Sequence, residues 1–293
     1  MKYVRLFENE ESFNDYELTV NNTPNISFIS NRNENNNGII YTKSVHDYSL
    51  DYFTLVAIDD CYFEFKCKSG EFSYSLDNGI TWSDYYQSKY GTGNEIFVAA
   101  DNKILFKGRN LIVTADASGS IPTFKISNDS SIQSQQRFNV EGNIMSLLYG
   151  DDFIGQTEII DNYTGSGEHG YTFNNLLSHA TTLINAKNLI LPATTLLNGC
   201  YMYMFSSCTS LETAPALPAP TLVNSCYCGM FNSCLSLNYV KCLATDISAR
   251  YATSYWMYNV NAPGKFIKAP NMNNWTIGQD GIPSGWTIKN VNE

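Results

Sequence analysis

The 293-residue sequence is poor in charged residues and lacks long apolar runs. Asp, Glu, Lys and Arg make up 16% of it, well below the usual share, which argues against a coiled coil or a charged helical bundle. Lys and Arg number 18 against 28 Asp and Glu, so the net charge is −10 and nucleic-acid binding is not expected. No stretch of about 18 consecutive apolar residues is present, so we expect no membrane span.

The start of the chain carries several charges and lacks the apolar core and the small-residue cleavage site of a secretory signal. We therefore expect the protein to fold in a cytoplasm, where thiols stay reduced. The eight cysteines contain no CxxC pair, and their spacing fits no tetrahedral zinc site. The cysteine pattern thus favours structural thiols over a disulfide framework or a metal centre.

The common catalytic and cofactor motifs are also missing: the sequence contains no P-loop, no G-x-G-x-x-G, no G-x-S-x-G and no HExxH. None of the three histidines, His46, His169 and His179, has a Cys, Asp or Glu at a ligand spacing. We expect no enzyme activity, no cofactor and no metal. A glycan-degrading enzyme is the less favoured alternative, because glycosidase carboxylates need not be close in sequence.

The residues that are present indicate a mainly β protein with short helices. Hydrophobic residues make up 43% and aromatic residues 14%, which is enough to bury a core. Between residues 53 and 142, short alternating stretches separated by turn signals predict an immunoglobulin-like antiparallel β-sandwich. One run in this region, from Ser75 to Trp82, resembles the Asp-box of β-hairpins, in which Asp77 would accept backbone N–H groups and Trp82 would pack the hairpin.

An internal repeat is the strongest signal in the chain. Residues 191–211 and 217–237 are identical at 14 of 21 positions, at an offset of 26 residues. Degraded copies lie around residues 177–183 and 256–257. A 26-residue period is in the range of leucine-rich repeats.

Within one copy, Cys226, Met230 and Cys234 follow one another at intervals of four, which predicts an apolar stripe on a short helical segment. The proline-containing stretch from Leu211 to Leu217 predicts a short strand. One such unit cannot bury its stripe alone, so the units should stack into a solenoid. Stacking would align equivalent residues of successive copies and form a core ladder from six of them: Cys200, Phe205, Cys208, Cys226, Phe231 and Cys234.

The pattern divides the chain into three regions: 1–52, 53–142 and 143–293. Residues 1–52 are rich in asparagine, and two interpretations stay open: a flexible leader, or an extended arm that adds strands to a partner. Residues 263–293 interrupt the repeat and would form a C-terminal cap on the solenoid. The candidate anchoring residues of the arm are Tyr3, Val4, Arg5, Leu6 and Phe7.

The two good repeat copies resemble the BspA-type leucine-rich repeats of gut Bacteroidales and their phages. The closing segment from Gly264 to Ile288 is similar to the segment that ends such arrays. The stretch from Phe138 to Phe153 resembles the junction that joins a small immunoglobulin-like domain to the repeats. The start of the chain resembles N-terminal arms of virion proteins from these phages, including crAss-like phages.

The resemblance implies a protein of the virion surface, made in the host cytoplasm: a head fibre or another capsid-attached fibre. It would bind capsid or other virion proteins through its arm, form a dimer or trimer, and display the solenoid toward a host-surface or mucosal glycan or protein. The alternatives are a tail-fibre receptor-binding protein and a bacterial surface adhesin. The candidate contact residues are non-core positions of the strand runs: Glu212, Asn238, Tyr239 and Lys241.

Overall fold

The structure is a computed structural model, and the protein is mainly β. The chain separates into two compact units, residues 1–49 and residues 50–293. The residues that the structure describes are 3–6, 26–32, 39–45, 51–65, 69–85, 95–112, 124–126, 136–160 and 171–292.

The N-terminal unit contains a three-stranded antiparallel sheet. Strands β1 (Tyr3–Leu6) and β2 (Ile26–Arg32) both pair with β3 (Ile39–Val45), which lies between them. Four of the five candidate anchoring residues therefore belong to β1, and Phe7 lies outside the described residues. The anchoring role of this segment stays a prediction.

The first part of the larger unit is built from short antiparallel strands. They are β4 (Phe53–Ala57), β5 (Cys61–Phe65), β6 (Ser69–Ser75), β7 (Ser83–Asp84), β8 (Ile96–Val98), β9 (Lys103–Ile112) and β10 (Phe124–Ile126). One sheet has the order β10-β5-β8, and β4, β9, β6 and β7 are neighbours in a second sheet. Phe63 of the first sheet meets Phe138 of the second edge to face, with ring centroids 5.3 Å apart.

The second part is a β-solenoid-like arrangement of about four turns. Its strands follow one another in sequence order and pair in parallel. One short helix, α1 (Ser146–Tyr149), lies in the first connection. The strands are β11 (Phe138–Asn143), β12 (Leu183–Ile190), β13 (Thr213–Leu217), β14 (Tyr239–Cys242), β15 (Lys265–Lys268) and β16 (Thr287–Asn290).

Strand β11 joins the two parts into one sheet. It pairs with β4 in antiparallel fashion on one side and with β12 in parallel on the other. The resulting ten-stranded sheet therefore passes from the antiparallel part into the solenoid without a break. The predicted boundary between residues 142 and 143 falls at the end of this shared strand.

Each strand from β12 to β15 is preceded by a segment of consecutive tight turns, which we call a turn ribbon. Every fourth residue of a ribbon has a left-handed backbone, as at Ser225 and Gly229, whose φ angles are 54° and 59°. The prediction that Cys226, Met230 and Cys234 lie on a short helix is therefore wrong. The turn ribbons comprise residues 171–180, 197–208, 223–234 and 249–260.

Backbone hydrogen bonds between ribbons explain why no helix forms. The N–H of Tyr201 donates to the carbonyl of Cys226 in the next ribbon at 3.0 Å, whereas the N–H of Met202 donates within its own ribbon to Gly199. This alternation continues along the ribbon. Every second N–H is thus bonded to a neighbouring coil, so stacking sets the backbone conformation. A period of four still keeps the predicted apolar stripe on one side, where it is buried.

The C-terminal segment 263–293 extends the solenoid. Its first strand, β15, pairs with β14 so that Lys265 lies opposite Tyr239, which is the 26-residue offset of the repeat. The ring of Trp275 stacks on Trp256 with centroids 5.1 Å apart. The carboxylate of Asp280 accepts the N–H of Tyr255 at 2.9 Å, at the position where an earlier ribbon would bond to the next one. The segment therefore continues the sheet and also covers the last ribbon.

Candidate functional site

The six residues of the predicted core ladder are all fully buried in the solenoid. Phe205 and Phe231 stack with centroids 5.6 Å apart and ring planes inclined by 13°. The thiol of Cys208 donates to the carbonyl of Leu177, and that of Cys234 to the carbonyl of Phe205, both at 3.0 Å. Through these hydrogen bonds, each thiol links its coil to the preceding one.

Burial keeps the solenoid thiols protonated. Desolvation raises the pKa of Cys226 and of Cys242 to about 12, and it raises the pKa of Cys200 and Cys234 well above the ordinary value. All seven cysteines among the described residues are free, while Cys67 lies outside them. Cys228 is half-buried, while the other six are core residues whose burial disfavours the reactive thiolate form.

The Asp-box forms the turn that its residues predict. Asp77 accepts hydrogen bonds from the Thr81 N–H at 2.8 Å and from the Thr81 hydroxyl at 2.6 Å. These two bonds, with a third from Ser75, lower the pKa of the Asp77 carboxyl to about 2. The indole of Trp82 donates to the Gly79 carbonyl at 3.2 Å, which closes the turn.

A polar cluster fixes this hairpin to the body of the larger unit. The ammonium group of Lys107 lies 4.2 Å from the centre of the Trp82 ring and 2.8 Å from Asp151. Asp151 also accepts the hydroxyl of Tyr52 at 2.7 Å. The hydrogen bond from Lys107 is the main cause of the lowered pKa of Asp151. Each charged group of the cluster has a partner, so the arrangement serves the fold.

The four candidate contact residues lie on adjacent coils of the solenoid but at two different places. Glu212 and Asn238 stand where β13 and β14 begin, and the Asn238 N–H donates to the Glu212 carbonyl at 2.9 Å. Tyr239 and Lys241 lie on β14 on either side of the buried Val240. They point to the side of the parallel sheet opposite the core, which we call the outer face.

Two further lysines, which the sequence analysis did not select, share the outer face. Lys265 of β15 lies opposite Tyr239. On the same strand, Ile267 has Lys241 of β14 opposite it on one side and Lys289 of β16 on the other. Both lysines are exposed. The 26-residue offset from Tyr239 to Lys265 was the signal that could have identified the first of them. Lys289 follows Lys265 at an interval shorter than 26 residues, and no repeat motif indicates its position.

The remaining candidates for chemistry do not converge on a site. His179 is exposed, and its ring nitrogen lies 2.7 Å from the Ser178 hydroxyl, while His46 and His169 lie outside the described residues. In the described part of the chain, no three His, Cys, Asp or Glu residues are grouped so that they could hold a metal ion. None of the described helices has the length and hydropathy needed to cross a membrane.

No family model, no curated protein and no solved structure matches the chain.

Proposed function

We propose that the protein is a structural protein of a phage virion, namely a head fibre or another capsid-attached fibre with an adhesive repeat domain. In this proposal, residues 1–52 anchor the chain to capsid or other virion proteins and to sister chains in a dimer or trimer. Residues 53–142 are an immunoglobulin-like spacer. Residues 143–293 are a BspA-type leucine-rich-repeat solenoid, with a cap in 263–293, that faces the host surface or mucus.

The outer face of the parallel sheet is the observation that carries the proposal. Side chains at equivalent positions line up across neighbouring strands, as Tyr239, Lys265 and Thr287 do. Parallel strands repeat such a row at intervals of about 4.8 Å. An extended surface of repeated rows suits an extended ligand, such as a surface polysaccharide or an unfolded segment of a host protein.

The division of the chain supports a separation between attachment and display. The N-terminal unit has its own antiparallel sheet, and the larger unit begins at Leu50. Tyr52 already belongs to the larger unit, where its ring packs against Trp82. An attachment segment can thus occupy residues 1–49 and leave the core of the displayed body intact.

Deletion of residues 1–49 tests the anchoring role. The truncated chain should keep the thermal unfolding transition of residues 50–293 but should no longer be incorporated into purified virions. The control is the full chain expressed from the same position in the phage genome. Mass spectrometry of the purified particles measures how much of each chain is incorporated. Incorporation at the level of the full chain would refute anchoring through this segment.

Immunogold labelling of intact virions distinguishes the alternatives. A head fibre or capsid-attached fibre predicts label on the capsid, whereas a tail-fibre receptor-binding protein predicts label at the tail tip. Label on uninfected bacterial cells, without label on virions, would identify a bacterial surface adhesin and overturn the proposal. Sedimentation of the full chain measures whether it is the expected dimer or trimer.

A further inference from the structure

Three lysines converge on the outer face at the C-terminal end of the solenoid. Lys265 lies on β15, between Lys241 of β14 and Lys289 of β16. Both neighbours lie opposite Ile267, two residues along from Lys265. With strands about 4.8 Å apart and a rise of about 3.3 Å per residue, Lys265 is about 8 Å from each of the other two positions. We call these three residues the lysine triangle.

The lysine triangle is a local excess of positive charge on an acidic protein. The chain has a net charge of −10, yet the residues that lie opposite the triangle lysines on the outer face are all uncharged: Ala216, Tyr239, Ile267 and Thr287. The side chains of Lys241, Lys265 and Lys289 make no ion pair with any described residue. No two of these lysines lie directly opposite each other, so the register limits their mutual repulsion and keeps all three within reach of one ligand.

The surface around the triangle combines charge with apolar area. Ile267 lies on the outer face between Lys241 and Lys289, yet it is only 7% exposed. Lysine stems can lie along apolar side chains while their ammonium groups stay in water, so the three lysines can flank this apolar position and keep their charges hydrated. The half-buried ring of Tyr239 lies in the same row as Lys265 and offers a flat amphipathic surface.

We propose that the lysine triangle, together with Tyr239, binds an anionic polysaccharide. The ammonium groups would pair with carboxylate or sulfate groups, and Tyr239 would pack against the apolar face of a sugar ring. This inference rests on the proposed function, because it names the ligand class of the adhesive surface.

The charge density of the ligand separates polysaccharide from nucleic acid. Duplex DNA carries one charge per ~1.7 Å and would meet the repulsion of the whole acidic chain. A polysaccharide carries its charges on separate sugar units, so three spaced lysines can match it while the total repulsion stays small. The uncharged neighbours of the lysines also favour a ligand with neutral hydroxyl-bearing rings between its charges.

Binding of the full chain to three immobilised polymers tests the inference. Lightly sulfated dextran presents spaced sulfate groups, polygalacturonate presents carboxylate groups, and dextran is the neutral match to the first. We expect binding to at least one of the two anionic polymers at low ionic strength, weakening as sodium chloride is added, and no binding to dextran. The two anionic polymers distinguish a sulfated from a carboxylated ligand. Failure to bind either would overturn the inference.

The triple variant K241E/K265E/K289E should bind the anionic polymer about tenfold more weakly or worse. The matched control K103E/R109E/R250E changes the net charge by the same amount away from the parallel strands that carry the triangle and should stay within about threefold of the original chain. An equal loss in both would assign the effect to net charge and refute the site. If the triple variant fails to unfold cooperatively, the single variant K265E replaces it, with K103E as its control.

Competition with duplex DNA tests whether the lysine triangle is instead a nucleic-acid site. Duplex DNA that displaces the polymer at equal phosphate and sulfate concentration, with the same dependence on the three lysines, would identify a nucleic-acid site and overturn the inference. Failure of DNA to compete supports it. If the full chain binds neither anionic polymer but is incorporated into virions normally, the inference about the lysine triangle fails while anchoring to the virion is unaffected. The two failures are therefore distinguishable.

Discussion

Buried thiols link the stability of the solenoid to alkaline pH. The pKa of Cys226 is raised to about 12 in the folded protein, whereas an exposed thiol has an ordinary value of 9.0. The unfolded chain therefore loses its proton first, and the stabilisation present below pH 9 falls as the pH rises toward 12. The free energy of unfolding should fall by about 1.4 kcal/mol per pH unit for each such thiol above pH 9.

Urea denaturation at pH 8 and pH 10 measures this effect. The unmodified chain should show a clear drop in the free energy of unfolding between the two values. Cys226→Ala should be less stable at pH 8 because it leaves a cavity, but its drop toward pH 10 should be smaller by about 1 kcal/mol. The same drop in both proteins would contradict the buried, protonated state of this thiol.

Asp77 should give the opposite pH dependence: its contribution to the free energy of unfolding is lost at acid pH. Hydrogen bonds from Thr81 and Ser75 lower its pKa to about 2 from an ordinary value of 3.8. The ionised carboxylate therefore stabilises the hairpin above pH 4, and this contribution is lost as the pH falls toward 2. Asp77→Asn should be less stable than the unmodified chain at pH 6, and the difference should shrink by pH 2.5. Urea midpoints at the two pH values measure it, and a constant difference would refute the charged role.

At the scale of one element, the turn ribbons depend on residues that tolerate a left-handed backbone. Gly229 has a φ angle of 59°, and a Cβ built there would lie 2.1 Å from the ring of Tyr203 in the preceding ribbon. Gly229→Ala should therefore lower the free energy of unfolding by about 2 kcal/mol, from backbone strain and from displacement of this ring.

A double-mutant cycle separates the two causes. In the background of Tyr203→Ala, the ring is gone, and Gly229→Ala should cost only the backbone term of about 1 kcal/mol. Ser225→Ala is the control, because Ser225 already holds a side chain at a left-handed φ of 54° and should change stability by less than about 0.5 kcal/mol. Equal costs of Gly229→Ala in both backgrounds would show that the ring does not restrict this position.

The ribbons also show where sequence analysis reaches its limit. The 26-residue repeat predicted a stacked solenoid, and the strand from Thr213 to Leu217 lies where the proline-containing stretch predicted one. The spacing of Cys226 and Met230 could not distinguish a helix from a ribbon, because both place every fourth residue on one side. In this ribbon the small residues Ser225 and Gly229, four positions apart, were an available signal for left-handed turns, but Tyr251 and Tyr255 adopt the same backbone in the next ribbon without it.

Long-range pairing was beyond the sequence for a different reason. Nothing in the residues of β11 indicates that it has β4 on one side and β12 on the other, because strand partners distant in sequence leave no local pattern. The outer face was predictable in part. Tyr239 and Lys241 follow from alternation along one strand, whereas Lys289 joins them only through the register of β15 and β16.

At the scale of the whole molecule, the shared sheet should make residues 50–293 unfold as one unit. The antiparallel part and the solenoid have β11 in common, and Val140 on this strand is buried in the core. Opening either part would remove hydrogen bonds and apolar contacts from the other. We therefore expect one cooperative transition for this part of the chain.

Pulsed thiol labelling during urea unfolding reads the two parts separately. Cys61 is buried in the antiparallel part and Cys208 in the solenoid, so each becomes reactive only when its own region opens. Both thiols should become labelled at the same urea midpoint, as located by mass spectrometry of the peptides. Val140→Ala should lower both midpoints together, by a free energy of about 2 kcal/mol. Two separate labelling midpoints in the unmodified chain would mean that β11 joins the two parts structurally but does not couple their unfolding. A shift of the Cys208 midpoint alone in Val140→Ala would mean the same.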